Sequence, residues 1–360
     1  RVVMLTGDHP ATALAVAREV GLVDPDHDQV ATGPEVAQLE DATLRQRLSH
    51  TNVFARVSPQ AKLRIVEQLL QQGEVVAMTG DGVNDAPALK KVHVGVAMGT
   101  GTAVAVEASD LVLLDDNFAT IVTAVREGRG VYSNVQKFIA FLFSGNTGVV
   151  LAMFVGTILA GIFNMRVGVE LLLPLTAAQI LWMNLVTDGA PAVAFSLGRT
   201  DPQVMDEPPR HPDSPILTSS GWLYVISTGV AVAVLLLLVL DAAYQGGFLT
   251  LHEHDYEYAR TAGFYTVVTT RLWNSLNFRH LPGTVFSRQF FRDFYVPGAC
   301  LFSWVLTVGV IYFPPAQSLF DLEPLDVGHV VRLTALSMLI LLPGELYKRF
   351  VGVQMNVTRR

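Results

Sequence analysis

The sequence predicts an α/β region built on a parallel sheet, residues 1 to 130, then an all-α bundle of six membrane-spanning helices, residues 131–350, and a short tail, residues 351–360. Three observations predict it. Short β-rich runs alternate with helical stretches as far as about residue 130. Long apolar spans take over from about residue 138. The 360 residues as a whole are 51% hydrophobic with a mean hydropathy of +0.39, more apolar than a soluble protein needs.

In chain order, RVVML is the first strand and HPATALAVAREVGL the helix after it. TNVFARV leads into SPQAKLRIVEQLLQQG, EVVAM into DAPALKK, and VHVGVAM and LVLL close the region. In the stretch MTGDGVNDAPALK, residues 78–90, a buried strand of Val75, Val76, Ala77 and Met78 runs into a tight turn that Gly80 and Gly82 permit. Asp81 and Asp85 then stand at the carboxyl end of that strand, where open α/β sheets bind ligands. Two acids with an amide nearby suit a hard cation such as Mg²⁺ holding a phosphate. Alone, a loop rich in Asp, Gly and Asn is more often a plain turn. Here the loops TGD, SPQAK, TGDGVND and GTGTA each follow a predicted strand, so a parallel sheet brings four segments to one edge.

The six spans are predicted at about 138–163, 172–197, 221–243, 262–278, 295–313 and 329–346. At 1.5 Å per residue most suit a bilayer of about 30 Å, the fourth being short and interrupted by Arg271. Arg199, Arg210, Arg279, Arg288, Arg292, Lys348, Arg349, Arg359 and Arg360 fall on one side of the spans. The other side holds Arg166 and Arg260 amid Glu253, Asp255, Glu257, Asp321, Glu323 and Asp326. The positive-inside rule then puts the α/β region and the C-terminus in the cytoplasm, and the NVT acceptor sequence at 356–358 on the side where it is not glycosylated. The stretch DDNFATIVTAVREGRGVYSNVQKFIAFLF passes from charged to apolar at helical spacing, which predicts one helix running from the α/β region into the first span.

A net charge of −7 gives no basic footprint and argues against nucleic acid as a partner. Cys300 is the only cysteine, which excludes an intrachain disulfide and a cysteine zinc cluster. The chain opens with Arg1 inside an apolar strand, and we expect it to be the tail of a longer protein.

TGDHPATALAVAREVGL, FARVSPQAKLRIVEQLL, MTGDGVNDAPALKKVHVGVAMGTGTAVAVEASDLVLLDDNF and LWMNLVTDGAPAVAFSLGRTDPQVMDEPPR resemble the P-type ATPases, in particular the calcium-pump branch. The resemblance runs to about residue 220 and continues beyond it in the number and placement of spans. It implies a partial phosphorylation domain of haloacid-dehalogenase-like fold joined to the last six of ten transmembrane helices, with ATP and Mg²⁺ as cofactors. The DKTGT segment bearing the family's phosphorylated aspartate occurs nowhere in these residues, so this piece alone is expected to be inactive and to need the N-terminal part of the same pump. By resemblance, Lys62 places a point charge against the transferred phosphoryl group, Thr6 and Gly7 contact it, and Asn84 donates to it. Asp8 supports the hinge, Asp81 binds Mg²⁺, and Asp85 supports the metal site.

In the second span, Asn184, Thr187 and Asp188 stand at i, i+3 and i+4, so an α-helix puts their oxygens on one face. An acid in mid-membrane is a functional hypothesis by default, and Gly189 and Pro191 after it can free carbonyls for a cation. Asn146 resembles another ion ligand of calcium pumps. Two positions depart from the sarcoplasmic-reticulum type: Val149 and Arg271 stand where that pump has glutamates. The resemblance therefore implies one surviving site around Asn184 and Asp188, with Arg271 as a counter-ion; Arg271 could otherwise snorkel or pair elsewhere.

The leading expectation is a pump for Ca²⁺ with the lipid bilayer as its setting, in a prokaryotic plasma membrane. Pumping of Mn²⁺ or a monovalent cation, a phosphatase with a membrane anchor, and a truncated complementing subunit without ATPase activity stand as alternatives.

Overall fold

The computed structural model describes residues 1–23, 29–162, 166–167, 170–171, 173–210, 213–244, 256–279, 281, 283–285 and 294–352, and it divides into two units, residues 1–125 and 126–360. Glu253, Asp255, Arg288, Arg292, Arg359, Arg360 and the NVT sequence at 356–358 lie outside the described residues.

In the first unit, β1 (Met4–Leu5), β2 (Val30–Thr32) and β3 (Val53–Ala55) form a parallel sheet in the order β1-β3-β2. A second parallel sheet holds β4 (Ala77–Gly80), β5 (Val94–Met98) and β6 (Leu111–Leu113) in sequential order. The single sheet expected from the sequence is thus, among the described strands, two ladders of three. The expectation of a strand buried from Val75 is also corrected: β4 begins at Ala77, Val75 is 58% exposed, and only Met78 is buried. β4 is the edge of its ladder, so it needs apolar cover only where it meets the core.

Helices α1 (Pro10–Glu19), α2 (Gly33–Gln38), α3 (Asp41–His50), α4 (Pro59–Gln71), α5 (Ala86–Leu89) and α6 (Ala103–Ala108) connect the strands. Their starts are written in the sequence. Ser58 Oγ accepts the Ala61 N–H (3.2 Å) ahead of Pro59, and Thr102 Oγ1 accepts the Ala105 N–H (3.3 Å). α2 and α3 were not predicted, because α3 buries only Leu44 and Leu48 and is otherwise polar. A cation fastens them instead. Arg64 on α4 donates to the carbonyls of Val36 (2.7 Å), Ala37 (3.1 Å) and Leu39 (2.5 Å) and pairs with Asp41 at 2.7 Å, closing the C-terminal end of α2.

In the second unit, α7 (Ala119–Ile162) is a 44-residue helix that begins in the first unit, without a break at Gly128 or Gly130. The segment after it bears a short antiparallel pair, β7 (Arg166–Val167) and β8 (Glu170–Leu171). Then follow α8 (Ala177–Trp182), α9 (Gly189–Ser196), α10 (Ser219–Tyr244), α11 (Tyr256–Arg279), α12 (Tyr295–Tyr312), α13 (Pro314–Phe320), α14 (Val327–Ser337) and α15 (Leu341–Phe350). The loop after α9 braces α7: Arg129 donates to the carbonyls of Val204 (2.9 Å) and Glu207 (2.8 Å), Asn134 to Gly198 O (2.8 Å) and Gln136 to Ile216 O (2.7 Å). A Cβ at Gly130 would lie 2.1 Å from Thr200 Oγ1, so this glycine lets the loop approach the helix.

Among the described residues, four helices are long and apolar enough to cross a membrane: Ala119–Gly161, Ser219–Ala243, Tyr295–Tyr312 and Val327–Phe350. Two of the six predicted spans do not qualify. The second is cut into α8, a π turn over Met183–Thr187, and α9. The fourth lies in α11, which is polar in composition yet buried on every side from Tyr258 to Arg271. Arg260, expected in a loop, is inside α11, paired with Asp321 at 3.1 Å.

Arg64→Ala should destabilise the first unit by about 1.5–3 kcal/mol, the worth of hydrogen bonds made by a charged donor, read by denaturant unfolding. The Arg64 hydrogen bond holds the Asp41 carboxyl below its ordinary value. A depressed carboxylate stabilises above its unfolded pKa, so the pair's contribution should be complete at neutral pH. It should fade as pH falls below about 4.

Candidate functional site

Two clusters of the predicted residues are built by the fold, one in each unit. In the first unit the chain leaving β1 carries Thr6, Gly7 and Asp8. Thr6 Oγ1 donates to Asp8 Oδ2 (2.9 Å) and accepts the Asp8 N–H (3.2 Å), an exposed turn closed on itself. It is tied to the end of β3, where Thr6 N donates to Phe54 O (3.0 Å), Val57 N to Thr6 O (3.0 Å) and Arg56 N to Asp8 O (3.0 Å). Arg56 adopts φ 51°, a left-handed conformation that non-glycine residues seldom take.

From that corner α4 projects Lys62, whose Nζ lies 2.6 Å from Asp85 Oδ1, the carboxylate of the loop after β4. Asp85 Oδ2 accepts the Gly82 N–H at 3.4 Å. A Cβ at Gly80 would lie 2.5 Å from Asp85 Cβ, so only glycine leaves room for this acid. Gly101 works likewise: its added Cβ would stand 3.1 Å from Asp81 O, and Thr102 N donates to that same carbonyl at 2.8 Å. The loops TGDGVND and GTGTA are therefore joined backbone to backbone, and SPQAK reaches the first of them through Lys62 and Asp85. Asp81 and Asn84 are exposed, and among the described residues neither side chain has a hydrogen-bond partner.

In the second unit Asp188 follows the π turn, its N–H donating to Met183 O at 2.9 Å. A π turn takes up one more residue than an α turn, so the i, i+3, i+4 expectation fails. Thr187 and Asp188 are buried, whereas Asn184 is exposed. Arg271 does not snorkel. Its Nη2 pairs with Asp188 Oδ2 and donates to Asn146 Oδ1 at 3.0 Å, and the side chains of Arg271 and Asp188 are 1% and 2% exposed. Asn146 itself is exposed, and Val149 is buried among apolar side chains. Thr187 Oγ1, Asp188 Oδ1, and Arg271 Nε and Nη1 are buried without a partner among the described residues. Pro191 brings no N–H, so the Thr187 carbonyl lacks its usual α-helical donor.

Several polar residues here were absent from the sequence reading. Asn274 Nδ2 donates to Ser144 Oγ (2.9 Å), Ser144 bonds Thr228 Oγ1 (2.8 Å), and Asn277 Nδ2 donates to Asn274 Oδ1 (3.0 Å). The available signal was the spacing of Arg271, Asn274 and Asn277, three residues apart along one helix.

A family model described as "Cation transporting ATPase, C-terminus" matches residues 172–350, and one described as "haloacid dehalogenase-like hydrolase" matches residues 1–93. The chain is similar to a calcium-transporting ATPase of Bacillus subtilis, 40% identical over 97% of this chain and 38% of the relative. It is 37% identical to calcium-transporting ATPase 1 of Bacillus cereus over 94% of this chain and 38% of that relative. It is 36% identical to calcium-transporting ATPase 1 of Yarrowia lipolytica over 98% of this chain and 36% of that relative. The chain thus spans less than two fifths of the length of these curated relatives. With one match falling on each unit and relatives of this kind along nearly the whole chain, the chain belongs to the cation-transporting P-type ATPases.

Proposed function

We propose that this chain is the C-terminal part of an ATP-driven pump that exports Ca²⁺ from the cytoplasm, one ion per cycle, through an aspartyl-phosphate intermediate. The observation that carries the reading is the buried Asp188–Arg271 pair beside a broken helix, in a chain whose relatives are named calcium-transporting ATPases.

In the phosphorylation half, phosphoryl transfer to a carboxylate gathers negative charge, and positioned cations and donors do most of the catalysis. Lys62 offers the cation, and its hold on Asp85 fixes where Nζ stands. The Gly7 N–H and the Asn84 amide serve as donors, and the Thr6 hydroxyl, which donates to Asp8 here, joins them by exchanging that acceptor for a phosphate oxygen. The residues fit Mg²⁺: the exposed Asp81 carboxylate is open, Asp85 stands near, and among the described residues no three acids or histidines converge. Such a site leaves room for water and phosphate oxygens, which this ion prefers to an all-protein cage. When bound, Mg²⁺ supplies charge neutralisation on the phosphoryl oxygens.

In the transport half, Asp188 commits one oxygen to Arg271 and keeps Oδ1 free, which suits one divalent ion rather than two. Thr187 Oγ1, the freed Thr187 carbonyl and the amide oxygen of Asn146 contribute to an oxygen set of the kind Ca²⁺ takes. Arg271 offsets the charge of the acid when no ion is bound. The rest of the pump covers the exposed Asn146 and Asn184. We read the broken α8–α9 pair and the polar α11 as two further spans, giving six with the four apolar ones. The α/β unit and the C-terminus then lie in the cytoplasm of a prokaryotic cell.

In the complete pump, phosphoenzyme formation from ATP titrated separately with Ca²⁺, Mn²⁺, Na⁺ and K⁺ at fixed Mg²⁺ should be activated by Ca²⁺ with a Hill coefficient near one; activation by a monovalent ion alone would overturn the reading. Asp188→Asn should abolish Ca²⁺-activated phosphorylation while phosphorylation from inorganic phosphate persists. Lys62→Ala should slow phosphorylation by about 10²–10³, the usual cost of losing a positioned charge-stabilising donor, measured by rapid quench.

A further inference from the structure

We propose that Gly145 is a specificity-determining residue: the slot it leaves on α7 admits the Arg271 guanidinium to Asp188 and so decides that the acid is shared with a built-in cation. This rests on the pump reading above. A Cβ placed on Gly145 would lie 2.5 Å from Arg271 Nε, 2.8 Å from Nη2 and 2.9 Å from Cζ. Nη2 is the atom that holds both Asp188 and Asn146. A single methyl group at position 145 therefore falls where the guanidinium lies, against the atom that makes the pair.

The helices around the slot have little slack. Asn274 ties α11 to α7 through Ser144, the neighbour of Gly145, and Ser144 also bonds Thr228 of α10. α7 and α10 are themselves at close approach: a Cβ at Gly148 would stand 2.7 Å from Val232 Cβ, and one at Gly229 would stand 2.9 Å from Ser144 O. With backbones held by those contacts, the strain of Gly145→Ala is taken up by the side chain of Arg271. Nε and Nη1 have no bonds to lose, but Nη2 has two. Displacing it uncovers a buried carboxylate, whose attraction for a cation rises when the neighbouring positive charge withdraws.

The test is a double-mutant cycle on the complete, detergent-solubilised pump. Gly145→Ala should lower the Ca²⁺ concentration for half-maximal phosphorylation by about fivefold, within the range for directly touching pairs. Arg271→Ala should lower it at least as much, and the double variant should match Arg271→Ala alone. No shift in Gly145→Ala, or the same shift in both backgrounds, would overturn the proposal. Thermal unfolding without calcium gives a second reading. Gly145→Ala should lower the Tm of the otherwise unmodified protein, but not that of Asp188→Asn/Arg271→Ala, where both charges are gone. A drop of equal size in both would again overturn it. If the unmodified protein shows no calcium activation, the pump reading fails while the thermal cycle still decides the slot.

Discussion

The buried ion pair between Asp188 and Arg271 is the constraint on which the membrane unit depends. Taking two charges out of water costs several kcal/mol each, and the cost is recovered only with good geometry and further hydrogen bonds. The fold meets that demand in part, since among the described residues Arg271 Nε and Nη1 and Asp188 Oδ1 stay unpartnered. The π turn ahead of Asp188 sets the acid on a buried face, Asn146 takes a second bond from the same guanidinium, and Gly145 leaves the space in which it lies. Helix α11, which carries the arginine, is enclosed by its neighbours along most of its length. A helix so polar would be a poor lipid-facing span, and burial is what makes it tolerable. The hydroxyls of Thr261, Thr266, Thr269 and Ser275 donate to carbonyls of α11 itself, and Thr269 and Asn274 also bond Ser337 and Ser144 on neighbouring helices.

The α/β unit uses a related device at its loop edge. Lys62 and Asp85 come from segments far apart in sequence and meet at 2.6 Å, largely shielded from solvent. Gly80 leaves room for the Asp85 side chain of its own loop, and Gly101 lets the GTGTA loop approach the backbone of Asp81. The glycines act by what they lack, since a methyl group at either position would meet Asp85 or the carbonyl of Asp81. One acid, Asp85, is thus spent on internal order, and the other, Asp81, faces outward.

The sequence by itself determined the class of each half. Alternating β-rich and helical runs, with Ser58-Pro59 ahead of one helix, were legible because caps and periodicity act over a few residues, whereas α6 after Thr102 was not predicted. Also legible were the loop residues around Asp81 and the buried acid at 188. Less legible were β2, which is held by pairing with β3, α2 and α3, which Arg64 fastens from some 23 to 28 residues away, and the extent of the strand before Met78. Tertiary structure alone decided the rest. It turned Asn184 out while turning Asp188 in, because a π turn cannot be told from an α turn by spacing. It also gave Arg271 its partner across 83 residues and fitted it against Gly145, because the cost of a buried charge is settled by atoms that only folding brings together.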